Sequence, residues 1–251
     1  MQNTAIEDLL TLSHEIGRED RQLAILGEGN TSTRLSEQTF LVKASGTSLG
    51  RLSKDDVVEC RFDALLPLLE KESLPDQQID DALLASRVDP KAKKPSVEAI
   101  FHAYLLSLPG IKFVGHAHAT AVNQVLCSPR ARDFAEQRMY PDEIVCCDVA
   151  SVFVPYTDPG LKLSHAIRRQ IGEFAHKHQR QPRVILMQNH GLITLGATWQ
   201  AVLTPMLMAE KAARVFVGAA ALGGPVFLTN ANTMRIAGRP DEDYRRRELK
   251  M

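Results

Sequence analysis

The sequence predicts one domain of mixed α/β type spanning residues 1–251, with a sheet held between helical layers. Three observations point there. Short apolar or alternating runs of strand length, Val184-Ile185-Leu186-Met187 among them, recur between segments with helical periodicity. No internal repeat, low-complexity stretch or linker divides the 251 residues. Hydrophobic residues make up 44% and charged residues 24%, the balance of a chain that buries a core without disulfide or metal staples.

The elements follow in order. Thr4 and Glu7 have capping-box spacing, and Ile6, Leu9, Leu10 and Ile16 then recur on one face, so a helix runs to about Gly17. Beyond a Gly-containing stretch, Thr31-Ser32-Thr33-Arg34, the turn Ser36-Glu37-Gln38 and Thr39-Phe40-Leu41-Val42-Lys43 read as a hairpin closed by Ala44-Ser45-Gly46-Thr47. Val57–Cys60 suits a strand and Asp63–Lys71 a short helix. After the basic, proline-containing loop Arg87–Pro95, a helix opens at Ser96 and stops before Pro109-Gly110. Ile111–Ala119 alternates as a strand does, Phe153–Tyr156 is a brief extended piece, and Leu161–Lys177 is helical. Arg183–Gln188 is a strand halted by Asn189-His190-Gly191. Thr198 caps a long helix that Gly223-Gly224 ends, and the charged segment Arg239–Met251 packs loosely.

Charge narrows the function. Thirty Lys and Arg balance 30 Asp and Glu, which argues against a nucleic-acid binder needing a basic face. Cys60, Cys127, Cys146 and Cys147 have neither disulfide-framework nor zinc-ribbon spacing. The first residues lack a secretory pattern, and the most apolar stretch, Val215–Leu228, is too short and too rich in glycine to span a membrane. The expectation is a cytoplasmic protein without nucleic-acid or membrane partners.

The chemistry concentrates in a few places. Side chains alternate along a strand, so His116 and His118 in Val114-Gly115-His116-Ala117-His118 project from one face, where two imidazoles can ligate one ion. The same pair equally suits a polar strand face on an exposed edge. His190, at a strand end before a tight turn, is placed where sheets present ligands, although Asn-His-Gly is also an ordinary left-handed turn. Glu98 falls in the first turn of its helix, either complementing the helix dipole or serving as a general base. His102 caps the site or fills space. The turns holding Gly29-Asn30, Ser45-Gly46-Thr47 and Ser96 offer N–H and hydroxyl donors that together can cradle an anion.

Taken together, these residues resemble the class II aldolase/adducin family. Gly29-Asn30-Thr31-Ser32-Thr33-Arg34 is similar to its G-N-x-S-x-R signature, Val42-Lys43-Ala44-Ser45-Gly46 to its I-T-P-[ST]-G turn, and Pro95-Ser96-Val97-Glu98 to its helix start. His116-Ala117-His118 and Asn189-His190-Gly191 resemble the H-x-H and H-G that supply three zinc ligands, and Val154-Pro155-Tyr156 is also familiar. Two departures stand out. Val97 replaces one serine of the usual pair, removing a hydroxyl, and Lys43-Ala44 replaces Thr-Pro, adding an ammonium. The V-K-x-S-G form with P-S-x-E looks like the aldolase part of the bifunctional rhamnulose-phosphate aldolase/dehydrogenases.

The resemblance implies a three-layer α/β/α fold around a mixed, largely antiparallel sheet. It implies Zn2+ or another divalent transition metal on His116, His118 and His190, and Glu98 as the base. Gly29, Asn30, Lys43, Ser45, Gly46 and Ser96 would hold the anionic group of a sugar substrate. The implied activity is a metal-dependent aldehyde-lyase acting on a sugar phosphate or sugar acid through a metal-stabilised enediolate. The family's alternatives are a sugar-acid phosphate decarboxylase, a pentulose-phosphate 4-epimerase and a non-catalytic adducin-like interaction module. It further implies a homotetramer with sites at subunit interfaces and an interface acid, for which Tyr140 and Tyr156 are the candidates.

Overall fold

The structure, a computed structural model, describes residues 2–248. Its strands are β1 (Asn30–Arg34), β2 (Thr39–Lys43), β3 (Val57–Arg61), β4 (Phe113–Ala117), β5 (Val152–Val154), β6 (Val184–Met187) and β7 (Gly191–Gly196). The helices are α1 (Gln2–Ile16), α2 (Phe62–Leu65), α3 (Asp76–Ala85), α4 (Ala99–Ser107), α5 (Thr120–Leu126), α6 (Ala131–Glu136), α7 (Pro141–Cys147), α8 (Leu161–His178), α9 (Trp199–Ala221), α10 (Asn230–Ala237) and α11 (Pro240–Glu248). The strands form one sheet in the order β3-β2-β1-β4-β7-β6-β5. Only β5 and β6 pair in parallel among the described residues, so the sheet is mixed and largely antiparallel as expected.

Both faces of the sheet carry helices, and strands such as β6, Val-Ile-Leu-Met, are buried and apolar on both sides. Val114, Ile185, Met187, Ile193 and Leu195 pack with residues of α2, α3, α4 and α8 in one core. Their alternates Phe113, Ala117, Val184, Leu186 and Leu192 pack with residues of α1, α5, α6 and α9 in another. The alternation follows from the two-residue period of the strand.

Several boundaries differ from the sequence reading. The first helix begins at Gln2, so Thr4 lies inside it and does not cap it. The helix expected from Ser96 begins at Ala99, which leaves Glu98 at the N-cap position instead of in the first turn. The expected strand Ile111–Ala119 is confined to Phe113–Ala117, with His118 just past its end. Strand β7 and helices α3, α5, α6, α7 and α10 were not anticipated. Thr198 does cap α9, its hydroxyl accepting the Ala201 N–H at 3.0 Å. The expected charged end is helical as α11 and has no buried residue among those described.

Strand β1 reads Asn-Thr-Ser-Thr-Arg, and its first four residues are buried. Buried polar groups require partners, and each of these has one. On the α1 side Thr31 shares a 2.6 Å hydrogen bond with Ser13, and Thr33 donates to the Lys112 carbonyl at 3.1 Å. On the α4 side Ser32 meets His102 Nδ1 at 2.7 Å, and Asn30 Oδ1 meets His102 Nε2.

His102 is fully buried, and desolvation lowers its pKa from 6.5 to about 3, despite an opposing pull from Glu98. The unfolded chain therefore binds a proton below pH 6.5 that the folded chain refuses. Stability from this neutral ring is complete above pH 6.5 and is lost progressively as pH falls towards 3. Urea unfolding of the wild type between pH 6.5 and 5 is expected to lose about 2 kcal/mol more than His102→Gln over the same interval. Parallel pH profiles for the two proteins would contradict the buried neutral ring.

Candidate active site

The pairing of β1 with β4 sets Asn30 opposite His116, and β4 with β7 sets His116 opposite Ile193. His116 therefore emerges on the α4 side of the sheet, with Phe101 edge-on to its ring at 5.9 Å. His118 follows the strand end, and His190 stands in the turn between β6 and β7, after Asn189 in the left-handed region at φ 55°. Two glycines permit this convergence. A Cβ on Gly29 (φ +66°) would lie 2.5 Å from the His116 carbonyl oxygen. One on Gly191 would lie 2.5 Å from the Ala117 oxygen and 2.9 Å from the His118 ring. The backbone of the His190 turn is held by Asn123 of α5, whose Nδ2 donates to the His190 oxygen at 3.1 Å.

The three rings form a near-equilateral triangle, with centroids 4.9, 5.0 and 5.1 Å apart. One ligand atom from each lies within 4.8 Å of the others. His116 Nδ1–H donates to the Leu192 carbonyl at 2.9 Å, which leaves its Nε2 with a free lone pair. His118 turns Nδ1 towards Glu28 at 3.9 Å and brings Nε2 to 3.1 Å from His116 Nε2. Without an ion, a proton on His118 Nε2 lets it donate to His116; with the proton on Nδ1, both Nε2 lone pairs are free for one cation. Tetrahedral zinc with bonds near 2.0–2.1 Å separates neighbouring nitrogens by about 3.3 Å, so the donor set fits a zinc-type ion.

Burial lowers the pKa of His116 to about 4, against the pull of Glu98, and burial also lowers that of His118. Both rings are thus neutral and ready to ligate near pH 7.

Glu98 borders the triangle. Its Oε1 is 3.3 Å from His190 Nε2, and its Oε2 is 3.5 Å from His116 Nε2. Asn30 Nδ2 donates to Oε2 at 2.6 Å. Burial favours the neutral acid, but the neighbouring His116, with His190 and Asn30, outweighs it and holds the carboxyl well below its usual range.

The anion-binding candidates collect beside Glu98. An isolated bridge between Ala44 and Pro95, with Ser45 N–H donating to the Lys94 carbonyl at 2.9 Å, sets the Ser45-Gly46 turn against the segment carrying Ser96. Ser96 Oγ accepts from Glu98 N–H at 3.2 Å and from Asn30 Nδ2 at 3.4 Å. Lys43 is 2% exposed and donates to the Gly27 carbonyl at 3.3 Å. No carboxylate lies within ion-pair distance of it among the described residues, and burial lowers its pKa against the pull of Glu98. The structure thus brings Gly29, Asn30, Lys43, Ser45, Gly46, Ser96, Glu98, His116, His118 and His190 into one neighbourhood.

Neither tyrosine hydroxyl bonds to a residue of this neighbourhood, although the Tyr156 N–H donates to Gln188 Oε1 at 3.4 Å, two residues before His190. Tyr140 donates to Met208 Sδ at 3.4 Å, and exposed Tyr156 to Asp158 at 3.2 Å. Sequence reasoning missed Asn123 and Glu28 altogether. It also gave His102 no definite role, although His102 lies four residues after Glu98, one helical turn on.

Residues 7–217 match the family described as class II aldolase and adducin N-terminal domain. Among proteins of known sequence, the Bacillus subtilis protein named uncharacterized oxidoreductase YuxG is 30% identical over 201 residues, 77% of this chain. The match takes in only 27% of YuxG. The 3-oxo-tetronate 4-phosphate decarboxylase of Haemophilus influenzae is 27% identical over 187 residues, covering 73% of this chain and 74% of that protein. Among solved structures, the N-terminal class II aldolase domain of a Thermoplasma acidophilum protein superposes with a TM-score of 0.68 at 26% identity, over 84% of this chain and 93% of that one. An L-fuculose 1-phosphate aldolase shares the fold at a TM-score of 0.70 and 18% identity, over 95% of each chain. With the matched residues spanning most of its length and carrying the three-histidine cluster, the chain belongs to the class II aldolase and adducin N-terminal domain family.

Proposed function

We propose that this protein is a metal-dependent aldolase that cleaves a sugar phosphate or sugar acid beside a carbonyl. The observation that carries the reading is a buried carboxylate, Glu98, set against two members of a three-histidine cluster. His116, His118 and His190 hold a divalent ion, most simply Zn2+. Three neutral imidazoles leave such an ion its full charge, and when bound it supplies Lewis-acid polarisation of the substrate carbonyl.

The chain's own groups do the rest. Lys43, Ser45, Gly46 and Ser96, with Gly29 and Asn30, bind the substrate's anionic group, and the buried ammonium of Lys43 offers it a counter-charge. In the direction of bond formation Glu98 accepts the proton from the carbon next to the carbonyl. In cleavage the electrons of the breaking carbon–carbon bond move into the carbonyl, the departing aldehyde's hydroxyl gives up its proton, and Glu98 returns one to the carbon. Exchange with that hydroxyl falls to Tyr140 or Tyr156 of a neighbouring subunit in a homotetramer. Exposed Ile25, Leu26 and Val97, beside Glu28 and Glu98, suit such a subunit interface.

A decarboxylase on the same scaffold is the second reading, favoured by the Haemophilus relative. Loss of carbon dioxide from an oxo acid leaves electrons at the same carbon and needs the same proton returned. The four cysteines are free, which suits a reducing, cytoplasmic setting, and no described helix is long and apolar enough to cross a membrane.

Two outcomes test the reading. Glu98→Gln keeps the shape of the side chain but cannot accept the proton. It is expected to lower kcat at least about 100-fold on the substrate found from a panel of ketose phosphates and oxo acids. Elemental analysis of that variant is expected to find the ion retained, and of the His116→Ala/His118→Ala double variant to find it lost. Wild-type turnover in Glu98→Gln, or full metal in the double variant, would overturn the assignment.

Lys43→Met is expected to weaken substrate binding by about 1.5–3 kcal/mol, the value of a hydrogen bond to a charged group, with kcat changed less than KM. Unchanged KM would remove Lys43 from the anion site.

A further inference from the structure

Glu98 is oriented by a hydrogen-bond chain whose polarity can be read from its end. A carboxylate only accepts, so the Asn30 group 2.6 Å from Glu98 Oε2 is the amide nitrogen. That leaves Asn30 Oδ1 facing the other way, towards His102 Nε2, where an oxygen can only accept. Nε2 of His102 therefore carries the proton. The ring is neutral because burial holds its pKa near 3, so Nδ1 is unprotonated and accepts from Ser32 Oγ at 2.7 Å. Every donor in this run points one way: Ser32 to His102, His102 to Asn30, Asn30 to Glu98.

The fold builds the chain deliberately into its interior. Asn30 and Ser32 share the α4-facing side of β1, and Glu98 and His102 lie one turn apart at the start of α4. Ser32 and His102 are fully buried and Asn30 is 4% exposed, so water does not compete for these bonds. An unconstrained asparagine could turn its oxygen towards Glu98, setting two acceptors against each other. With Nε2–H of His102 opposite, that flip would leave two donors and two acceptors mismatched in a dry site.

We propose that His102 is a positioning residue for Glu98: it locks the Asn30 amide so that only its NH2 meets the carboxylate, fixing Oε2 and leaving Oε1 as the oxygen turned to His190. His102 touches neither the three histidines' ligand atoms nor the anion-binding turn, so it acts only through Asn30. Its catalytic consequence rests on the reading of Glu98 as the proton acceptor.

Two measurements on the zinc-loaded protein test it. In 15N-detected histidine spectra, His102 is expected to show a protonated Nε2 and an unprotonated Nδ1 throughout pH 6 to 8, with assignment from the loss of its signals in His102→Gln. Protonation at Nδ1 would overturn the proposal whatever the enzyme's activity. In kinetics, His102→Phe keeps a ring but has no donor, and is expected to lower kcat about 10- to 100-fold, the range for residues that orient a functional group. Metal content should stay within about twofold, and kcat is expected to fall more than KM rises, since His102 itself contacts neither the ion's ligand atoms nor Lys43, Ser45 and Ser96 of the anion site. His102→Gln, whose amide N–H can reach Asn30, is expected to recover most of the loss, which a role in packing alone would not produce.

If His102→Phe fails to fold, Ser32→Ala gives the same test from the other side. It spares the His102–Asn30 bond and is expected to keep kcat within about threefold while the tautomer stays Nε2–H. A tautomer switch in Ser32→Ala without loss of kcat would overturn the proposal, as would full activity of His102→Phe. Wild-type turnover in Glu98→Gln would instead defeat the reading of Glu98 as base, and the tautomer would still decide the hydrogen-bond chain.

Discussion

The antiparallel register of β4 between β1 and β7 is the constraint on which the site depends. It puts Asn30 beside His116 and sends both to the α4 side of the sheet, where Glu98 and His102 wait at the start of the helix. A slip of one residue on either side would turn these groups to the opposite face. Gly29 and Gly191 protect the arrangement, because a side chain on either would run into the backbone of β4 at 2.5 Å. Helix α5, which follows His118 directly, then holds the His190 turn through Asn123. The N-terminus of α5 is itself anchored by buried Glu210 of α9, which accepts from Ala121 and Val122 N–H at 3.0 and 3.2 Å.

Burial and charge act against each other throughout this pocket. Desolvation drives His102 and His116 neutral, which suits one as a hydrogen-bond relay and the other as a metal ligand. The same desolvation would protonate Glu98, yet the hydrogen bonds it accepts from Asn30 and His190 favour the carboxylate. Lys43 is the one ammonium in the arrangement described, and its burial without a paired carboxylate leaves it available to an incoming anion. A three-histidine cluster, a buried lysine and a buried carboxylate thus sit side by side, the groups that the proposed function needs as cation site, anion site and proton acceptor.

Much of this was legible in the sequence because the candidate site residues sit at places with strong local signals. His116 and His118 stand at strand spacing, His190 at a turn marked by Asn and Gly, and Glu98 after a proline before an apolar helix. Their resemblance to one family also implied the three-layer fold that the structure contains. Other features were not local. Strand β7 begins and ends in glycine, residues that read as turn, and is a strand because β4 and β6 pair with both its edges. Glu98 moved from the first turn to the cap position because α4 starts three residues later than the proline suggested. His102 was legible as a helical neighbour of Glu98, but its partner Asn30 is 72 residues away, and only the packing of α4 against β1 brings them together.

The most direct test of the account is hydrogen exchange at the reacting carbon. A small hydroxyketone phosphate such as dihydroxyacetone phosphate would be incubated in deuterated water with the zinc-loaded protein and followed by proton NMR. No aldehyde is supplied, so only the proton-transfer half of the reaction is observed. The wild type is expected to exchange one hydrogen stereospecifically at the carbon beside the carbonyl, and Glu98→Gln is expected to leave it in place. Exchange by Glu98→Gln at the wild-type rate would contradict the claim that this carboxylate moves the proton.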